Sequence, residues 1–534
     1  MASVAQVIAK RLHEAGIRHA FGIPGGEVLS LVDALQEIGV RFVLVKHENS
    51  GGFMAEGVHH RSGAPALLVT TVGPGLVNAV NVVANAQQDR VPLIFLTACI
   101  EPATAQTYTH QWLDQSALLG PITKARFIAD AGAIDVMVDK AVNIALDDPP
   151  GPVHIDVPVA VGTTDVPEKE PVRRSRPLRG APRGEALKLA REWLAAAQRP
   201  VMLAGVEALN HDATVDVQAF VRRLNVPLIT SYKAKGILPE DDPLALGGAG
   251  LSPVADKILL PLVRASDCVV LAGYDPIEMR IGWRDPWSTA ARVIELSAVP
   301  NSHYVHRATL SFLGDVGGGL QALSSSLAGR SAWTKEEIAS HRGNLAAAYR
   351  PDEEWGPAAI IDTARRVLPR ETIATVDSGA HRIMLSQIWN AYGPRELLQS
   401  TGLCTMGCAV PLAIGAKLAE PARPVVAFTG DGGLDMVMGE LTTARDLKLP
   451  VVVVVFADTS LALIEMKQRA MGFPNAAVDF PRTDYAQVAR ALGGHGHLCR
   501  SRPQLEDALA HALKSDRFTV VSCEFPRSAY DGRI

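Results

Sequence analysis

Apolar residues recur along this chain with two different spacings, and the alternation between them predicts a fold class. Near the N-terminus, Val4, Val7, Ile8 and Leu12 follow the spacing of a helix, and Gly16 lies where a C-terminal helix cap is expected. Between such helical stretches lie short apolar runs without internal polar residues. Runs of that kind are typical of parallel strands that are buried on both faces. We therefore predict an α/β protein in which helices cover parallel sheets.

The predicted strands fall into three successive groups along the chain. They cover residues 19–23, 41–45, 66–71 and 91–98; 200–204, 226–230, 268–272 and 291–295; and 372–376, 424–428, 451–456 and 520–525. Each group predicts one doubly wound parallel-sheet domain, with bounds at residues 1–165, 185–325 and 355–534. The stretch 167–184, rich in proline and charge, is interpreted as a surface linker, and the polar helical stretch 324–355 as a second connection.

Composition bears on the partner, the compartment and the membrane association of the protein. A net charge of −4 over 534 residues gives no support for a nucleic-acid partner, which favours a basic surface. The six cysteines are too few and too scattered for a disulfide framework, and this usage is typical of a reducing cytoplasm. No apolar run reaches the roughly 18 residues that a membrane span needs. We expect a cytoplasmic protein without a membrane segment.

The turn after the predicted strand 424–428 reads Thr429-Gly430-Asp431-Gly432-Gly433. Glycines let backbone N–H groups approach a diphosphate, and an aspartate can hold a divalent cation bridging its oxygens. By itself such a turn is an ordinary strand-to-helix connection. The next predicted strand, however, ends in Ala457-Asp458-Thr459-Ser460. The pair of segments, at this separation, resembles the cofactor-binding motif of thiamine-diphosphate (ThDP) enzymes.

The resemblance implies a Mg²⁺ site. Its ligands would be Asp431, Asp458 and the main-chain carbonyl of Ser460, and Gly430, Gly432 and Gly433 would face the diphosphate. Asp458 departs from the asparagine that is usual in the family. A second carboxylate suits a hard cation but adds negative charge beside the diphosphate, so we expect Mg²⁺ to be bound more obligatorily.

A second segment, His47-Glu48-Asn49-Ser50-Gly51-Gly52-Phe53-Met54-Ala55-Glu56-Gly57, follows the predicted strand 41–45. It resembles the HE…MAEG segment of acetolactate synthases and pyruvate oxidases. The resemblance implies that Glu48 hydrogen-bonds the aminopyrimidine of ThDP and so drives removal of the thiazolium C2 proton. That chemistry requires a carboxyl group shielded from water. Without its neighbours, Glu48 would be interpreted as a solvated helix-capping residue.

Two further turns of the N-terminal unit resemble the walls of the pyrimidine site in that family. The residues concerned are Pro24, Gly25, Gly73 and Asn78. Val82 departs from a glycine that is usual in the following helix, which is expected to change helix packing rather than chemistry. In the C-terminal unit, two more segments resemble family motifs that hold the cofactor. Their predicted cofactor-binding residues are Gly379, His381, Cys404 and Met406.

The resemblance also implies what those C-terminal residues do. Met406 would lie under the cofactor and enforce its bent shape, and the carbonyl of Cys404 would accept a hydrogen bond from the exocyclic amine. Ala380 stands where the family has a glutamine, so that hydrogen bond to the diphosphate is lost. The family places each cofactor between the first unit of one subunit and the third unit of another. We therefore expect a homodimer or homotetramer with shared active sites.

The substrate side of the site favours carbon–carbon ligation. Gly26 leaves room for an acceptor, and Ile464 stands where aldehyde-releasing decarboxylases place a glutamate. His110 and Gln111 replace a histidine pair of those enzymes, and His110 either protonates the acceptor or caps a loop. We predict decarboxylation of a 2-oxo acid such as pyruvate, with ligation to a second carbonyl compound. The stretch 463–468 is closest to flavin-free catabolic acetolactate synthases, so FAD is expected to be absent.

Other functions remain open at this point. The chain could be a lyase, or a non-ligating decarboxylase of a larger 2-oxo or 2-hydroxy compound or of an acyl-CoA. The departures at Ala380, Ala457 and Asp458 also allow a catalytically silent regulatory homologue. A nicotinamide-binding enzyme is disfavoured, because no predicted strand is followed by the G-x-G-x-x-G fingerprint.

Overall fold

Three six-stranded sheets of parallel strands organise the chain in a computed structural model that describes residues 1–167, 169, 178–277, 279–325, 327–329 and 331–534. The predicted fold class, three doubly wound α/β units in succession, is confirmed. Half of the predicted linker 167–184 lies outside the described residues. The domain bounds at 1–165, 185–325 and 355–534 stay a prediction, and each of the three sheets lies within one of these ranges.

The first sheet has the strand order β3-β2-β4-β5-β7-β6. Its unit contains strands β1 (Ala2–Ser3), β2 (His19–Gly22), β3 (Arg41–Leu44), β4 (Ala66–Thr70), β5 (Leu93–Cys99), β6 (Ala125–Ile128), β7 (Val153–Pro158) and β8 (Asp165–Val166). Its helices are α1 (Val4–Glu14), α2 (Leu29–Glu37), α3 (Glu48–Ser62), α4 (Pro74–Asn78), α5 (Val80–Asp89), α6 (Pro102–Ala105), α7 (Gln115–Leu119), α8 (Ile134–Leu146) and α9 (Val159–Gly162), with 3-10 turns at Gly26–Val28 and Gly120–Ile122. Strands β1 and β8 form a separate antiparallel pair.

The second sheet has the order β11-β10-β9-β12-β13-β14. Its strands are β9 (Pro200–Ala204), β10 (Leu228–Ser231), β11 (Ala245–Ala249), β12 (Cys268–Ala272), β13 (Arg292–Ser297) and β14 (Leu310–Leu313). Its helices are α10 (Glu185–Ala196), α11 (Val206–Asn210), α12 (Thr214–Leu224), α13 (Pro253–Arg264) and α14 (Val316–Ser324), with 3-10 turns at Tyr232–Ala234 and Ile281–Trp283. The helix α15 (Lys335–Tyr349) forms most of the second predicted connection.

The third sheet has the order β16-β15-β17-β18-β20-β19. Its strands are β15 (Ile373–Val376), β16 (Leu397–Gln399), β17 (Val425–Gly430), β18 (Val452–Ala457), β19 (His495–Cys499) and β20 (Thr519–Glu524). Its helices are α16 (Pro357–Val367), α17 (Ala380–Ile388), α18 (Ala409–Ala419), α19 (Asp431–Val437), α20 (Glu440–Asp446), α21 (Ala462–Ala470), α22 (Tyr485–Ala491) and α23 (Arg502–Ala512), with a 3-10 turn at Arg527–Tyr530.

Most strands that the apolar pattern did not predict lie at sheet edges. These are β6, β11, β14, β16 and β19, and two of them, β6 and β14, expose every second residue. An edge strand of this kind has no continuous apolar run. Strand β7 is different, because it lies inside its sheet but carries the buried polar residues His154 and Asp156. Its sequence therefore lacks the unbroken apolar run on which the prediction relied.

The first and third units pack tightly within one chain, through α3 and α18. A methyl group built on Gly57 would lie 2.3 Å from the Leu412 carbonyl oxygen, and one built on Gly415 would lie 2.0 Å from the Met54 carbonyl oxygen. Glycine at these positions lets the two helix backbones approach each other closely. Among the described helices, none is both long and apolar enough to cross a lipid bilayer.

Candidate active site

Two carboxylates, Asp431 and Asp458, follow the adjacent parallel strands β17 and β18. Carboxyl ends of parallel strands meet at one edge of the sheet, which is where ligands bind in such folds. Both side chains are buried, at 4% and 8% exposure. Asp431 accepts hydrogen bonds from the backbone N–H groups of Thr459 (2.7 Å) and Gly432 (2.9 Å), and Asp458 accepts one from Ser460 N (3.0 Å).

Burial dominates the electrostatics of this pair. It raises the pKa of Asp431 to about 6, against the hydrogen bonds that lower it. The pKa of Asp458 rises to about 8, because that carboxyl is buried and also lies beside Asp431. Desolvation keeps these two neighbouring carboxyl groups partly protonated, because the protein places too little positive charge beside them. A divalent cation would supply the missing positive charge.

The two carboxylates fit a hard cation whose remaining ligands are oxygen atoms of other groups. No three His, Cys, Asp or Glu side chains among the described residues are arranged to hold a metal ion. The ligands beyond Asp431 and Asp458 would therefore be main-chain carbonyls, water or phosphate oxygens, as Mg²⁺ prefers. The Ser460 hydroxyl is engaged elsewhere, since it donates to Asp479 Oδ1 at 2.7 Å. The carbonyl of Ser460 is thus the atom left for the predicted role.

Asp377 organises the surroundings of the acidic pair, although the motif analysis gave it no role. Its buried carboxylate accepts from Gly407 N (2.7 Å) and from Thr429 Oγ1 (3.1 Å), and it lies 2.9 Å from His381 Nε2. A methyl group on Gly433 would lie 2.0 Å from Asp377 Oδ2. One carboxylate therefore ties together the end of β17, the start of α19 and the two segments predicted to hold the cofactor.

The remaining predicted cofactor residues of the third unit lie around the same strand ends. His381 stacks on Phe456 with ring centroids 5.1 Å apart. A methyl group on Gly379 would lie 2.5 Å from His381 Cε1, and one on Gly432 would lie 3.7 Å from Met406 Cε. Glycines at 379 and 432 thus keep a cradle open that a side chain would fill.

Glu48 occupies the first position of α3 and is only 5% exposed. Its Oε2 accepts a hydrogen bond from Asn78 Nδ2 at 2.9 Å, and a methyl group on Gly75 would lie 3.4 Å from its Oε1. A helix N-terminus also favours a negative charge. The structure thus brings the predicted residues Glu48 and Asn78 together in a shielded place.

The turn before Glu48 is held by a residue that sequence analysis missed, Glu440 of α20. Its Oε1 accepts from Lys46 N (3.0 Å) and His47 N (3.1 Å), and burial raises the pKa of this carboxyl. Glu440 lies almost 400 positions away in the sequence, and nothing in its local pattern points to this contact. The third unit therefore fixes the position at which the first unit presents Glu48.

Glycines shape the rest of the pyrimidine side. A methyl group on Gly25 would lie 2.4 Å from Thr71 Oγ1, whereas one on Gly26 would meet no heavy atom within 4 Å. Gly73 has φ +59°, and a methyl group there would lie 2.5 Å from the Gln111 carbonyl oxygen. Gly73 is therefore required by its backbone conformation, and Gly26 faces open space.

A buried polar network supports Gly73, and it also was not predicted. Gln115 Oε1 accepts from Gly73 N at 3.1 Å, and Gln115 Nε2 donates to Asp156 Oδ1. Thr97 donates to the same oxygen of Asp156 and lies 2.7 Å from His154 Nε2. The polar residues that break the apolar pattern of β7 thus hold one wall of the site.

Comparisons with known proteins agree with this geometry. Three family models of thiamine pyrophosphate (that is, ThDP) enzymes match the chain: the N-terminal TPP binding domain at residues 2–118, the central domain at 187–323 and the C-terminal TPP binding domain at 377–523. A probable 2-ketoarginine decarboxylase AruI of Pseudomonas aeruginosa is 31% identical over 96% of this chain and 91% of the relative. The chain belongs to the thiamine-diphosphate-dependent enzymes.

Other relatives of this ThDP enzyme are acetolactate synthases. The acetolactate synthase of Bacillus subtilis (strain 168) is 29% identical over 97% of this chain and 92% of the relative. The acetolactate synthase isozyme 1 large subunit of Escherichia coli (strain K12) is 29% identical over 92% of this chain and 88% of the relative. The similarity spans all three α/β units.

The predicted substrate-side residues of this ThDP enzyme are exposed in the single chain. His110 and Gln111 lie in an exposed segment beside Trp112, which is 51% exposed. Ile464 on α21 is 43% exposed. Among the described residues, no hydrogen bond or ion pair joins Glu48 to Asp431 or Asp458. We call Glu48 on the first unit and the acidic pair Asp431 and Asp458 on the third unit the two half-sites.

Proposed function

We propose that this ThDP enzyme requires Mg²⁺, decarboxylates a 2-oxo acid such as pyruvate and ligates the retained carbon unit to a second carbonyl compound. The observation that carries the proposal is the shielded Glu48 carboxylate on α3, held by Asn78 at 2.9 Å. Gly26 supports ligation, because its Cα faces space in which a methyl group would contact nothing. The apolar side chain of Ile464 supports it too, since it offers no acid to release an aldehyde.

Bound thiamine diphosphate supplies the carbon nucleophile and the electron sink for this chemistry. The task of Glu48 is to exchange a proton with the bound group. Asn78 holds Oε2 of Glu48, and the described residues place no donor on Oε1. Oε1 is therefore the oxygen that would carry the proton, within a helix N-terminus that water reaches poorly.

The acidic pair supports the Mg²⁺ requirement. Asp431, Asp458 and the Ser460 carbonyl would hold the ion, which would link them to the diphosphate. Gly379, His381, Gly430, Gly432 and Gly433 would surround the phosphate oxygens, because each lies at the same end of the third sheet. Cys404 and Met406 would contact the pyrimidine-facing side of the cofactor.

Contacts in the central unit support the absence of FAD. Glu207, at the start of α11, accepts from Ser297 Oγ at 2.9 Å and from the backbone N–H of Ala298. A methyl group on Gly205 would lie 2.5 Å from the Gly273 carbonyl oxygen. The loops after β9, β12 and β13 thus contact one another where a doubly wound sheet would bind a nucleotide. A flavin absorption spectrum in the purified protein would contradict this part of the proposal.

The quaternary proposal is a homodimer or homotetramer in which each active site combines Glu48 of one subunit with Asp431 and Asp458 of another. It is supported by the resemblance to a family in which each cofactor lies between the first unit of one subunit and the third unit of another. We also propose a cytoplasmic location, which the absence of any disulfide among the six cysteines, all in the described part of the chain, supports.

Product analysis tests the proposed reaction. The protein is incubated with pyruvate, ThDP and Mg²⁺, and the products are identified by mass. Acetolactate without free acetaldehyde is the expected result. Acetaldehyde as the sole product would overturn the ligation step, and inertness toward every 2-oxo acid and aldehyde of a panel would overturn the enzyme assignment in favour of a silent homologue.

A second candidate is decarboxylation of a larger 2-oxo acid without ligation. The observation that favours it is the full-length similarity, at 31% identity, to a protein named as a probable 2-ketoarginine decarboxylase. The same panel separates the two candidates when it includes 2-oxo acids with a guanidinium or ammonium side chain. Faster turnover of those acids than of pyruvate, with release of the aldehyde, would replace the first proposal by the second.

A further inference from the structure

Helix α5 carries three polar residues at intervals of four, Asn81, Asn85 and Asp89. Residues four apart lie on one face of a helix. All three contact the segment 400–405 of the third unit, which precedes Met406 and contains Cys404. The remaining face of α5 packs apolar residues such as Val83 and Ala86 into the core. The polar stripe thus contacts a segment more than 300 positions away in the sequence, and Asn85 Nδ2 also donates to Glu56 Oε2 of α3 at 3.0 Å.

The contacts involve both ends of the segment. Asp89 accepts from Thr401 N (3.0 Å), Thr401 Oγ1 (2.7 Å) and Gly402 N (2.7 Å). Asn85 Oδ1 accepts from Ser400 Oγ at 2.6 Å, and the same hydroxyl accepts from Thr405 N at 3.0 Å. Asn81 Oδ1 accepts from Thr405 Oγ1 at 3.1 Å.

These hydrogen bonds take the place of the backbone hydrogen bonds that a helix or strand would make. Residues 400–405 belong to neither a strand nor a helix, and Cys404 has a left-handed φ of +54°. Backbone N–H groups buried without a partner cost free energy, so the donors of Thr401, Gly402 and Thr405 need side-chain acceptors. Helix α5 and Ser400 provide them.

The negative charge of Asp89 is balanced by the central unit. Lys233 Nζ lies 3.0 Å from Asp89 Oδ2 and donates to the Gln399 carbonyl at 3.2 Å. Both charged side chains are buried. Each unit therefore contributes to one junction: α5 from the first, Lys233 from the second and segment 400–405 from the third.

We propose that the stripe on α5 is a clamp that holds segment 400–405 in the shape that binds the cofactor, with Asp89 as its main positioning residue. This inference rests on the proposed function for the role of Cys404 and Met406. The clamp itself is a property of the cofactor-free protein, because every contact in it is made by the chain's own residues. It acts within one chain, on the segment that directly precedes Met406.

The test compares two carboxylate-to-amide substitutions at the same interface between the first and third units. Asp89→Asn leaves a single acceptor oxygen where two now serve three donors and a lysine. Glu420→Gln is the matched control, since Glu420 binds Arg61 of α3 at 2.8 Å and touches nothing in segment 400–405. Both variants keep the size of the side chain.

The readout is hydrogen–deuterium exchange of the cofactor-free full-length protein, followed by titration with ThDP and Mg²⁺. We expect Asp89→Asn to speed exchange in peptides covering 400–406 about tenfold or more, and to weaken ThDP binding by roughly tenfold, as loss of a charge-assisted hydrogen bond predicts. The Glu420→Gln protein should match the wild type in both. Unchanged exchange in Asp89→Asn, or equal effects of the two variants, would overturn the clamp.

Thr405→Val keeps the test decisive if Asp89→Asn does not fold. That change removes only the hydroxyl that bonds Asn81 at the exposed end of the stripe. Faster exchange limited to 400–406 supports the clamp, and unaltered exchange contradicts it. Because exchange is measured without cofactor, a protein that shows the clamp but fails to turn over any 2-oxo acid would refute the proposed reaction and not this inference.

Discussion

The two half-sites differ in how the protein treats a buried carboxylate. Glu48 lies at a helix N-terminus, and its Oε2 accepts a hydrogen bond from the amide of Asn78. Asp431 and Asp458 lie side by side, and burial raises their pKa values to about 6 and about 8. The first half-site is complete as a proton-exchange group, whereas the second is complete only when a cation and its remaining oxygen ligands arrive. The first unit thus positions a proton-exchanging side chain, whereas the third unit leaves the charge of its acidic pair to be balanced by bound ligands.

We expect Glu48→Gln to reduce activity more than any other single change. Glutamine keeps the size of the side chain and can still accept from Asn78, but it cannot exchange a proton. Turnover should fall by about a hundredfold or more, as loss of a general acid–base group predicts, while ThDP affinity and the unfolding midpoint stay close to the wild type. Steady-state kinetics measure turnover, and calorimetric titration measures ThDP affinity. The exposed Glu192→Gln change serves as control, and normal turnover in Glu48→Gln would refute the role of this residue.

The next prediction concerns how pH changes the stability of the metal-free protein and its affinity for Mg²⁺. A carboxyl whose pKa is raised by folding stabilises the folded protein below its ordinary pKa, and that contribution is lost as the pH rises through the folded value. The metal-free protein should therefore lose stability between about pH 4 and pH 8. Because both carboxylates must be ionised to hold the cation, Mg²⁺ with ThDP should bind roughly a hundredfold more tightly at pH 8 than at pH 6. Thermal unfolding and titration at both pH values check this.

Asp458→Asn is the matched variant for that experiment. It restores the asparagine usual in the family and removes the group with the higher pKa. The pH dependence of Mg²⁺ binding should flatten above pH 6, since Asp431 is then largely ionised. An unchanged dependence in Asp458→Asn would show that a different group titrates.

A smaller effect is expected from Ile464→Glu on the substrate side. Ile464 is 43% exposed, so an added carboxyl is accommodated without repacking. The acid should shift product from ligated acid toward free aldehyde, by roughly tenfold in their ratio, as general acid catalysis allows. Ile464→Gln controls for polarity without a comparable acid. An unaltered product ratio in Ile464→Glu would remove Ile464 from the substrate site.

The smallest effect tests how rigidly α3 presents Glu48. A methyl group on Gly52 would lie 2.4 Å from Val82 Cγ1, so the valine that departs from the family fits only because Gly52 faces it. Gly52→Ala should destabilise the protein by about 1–3 kcal/mol through overpacking, although such a change normally favours a helix. Adding Val82→Ala should restore most of the loss in the unfolding free energy. Equal stability of Gly52→Ala and the wild type would contradict the packing.

Short motifs at the ends of predicted apolar strands supplied the predicted roles of Glu48, Asp431 and Asp458. The apolar runs themselves predicted the inner strands of all three sheets, with the exception of β7. The supporting contacts were not predicted, because their partners are distant in sequence: Glu440 lies almost 400 positions from Lys46, and Asp89 more than 300 from Thr401. Strand β7 was missed for the related reason that its buried polar residues serve the site and break the apolar run.

Mixing two inactive variants tests most directly whether the two half-sites act on one cofactor across subunits. Glu48→Gln and Asp431→Asn chains are coexpressed with different tags, and the mixed oligomers are isolated and assayed. If sites are shared, each hybrid dimer has one doubly defective site and one intact site, so about half of the wild-type activity per dimer returns. If each site forms within one chain, every site carries a defect and the hybrid stays as inactive as its parents.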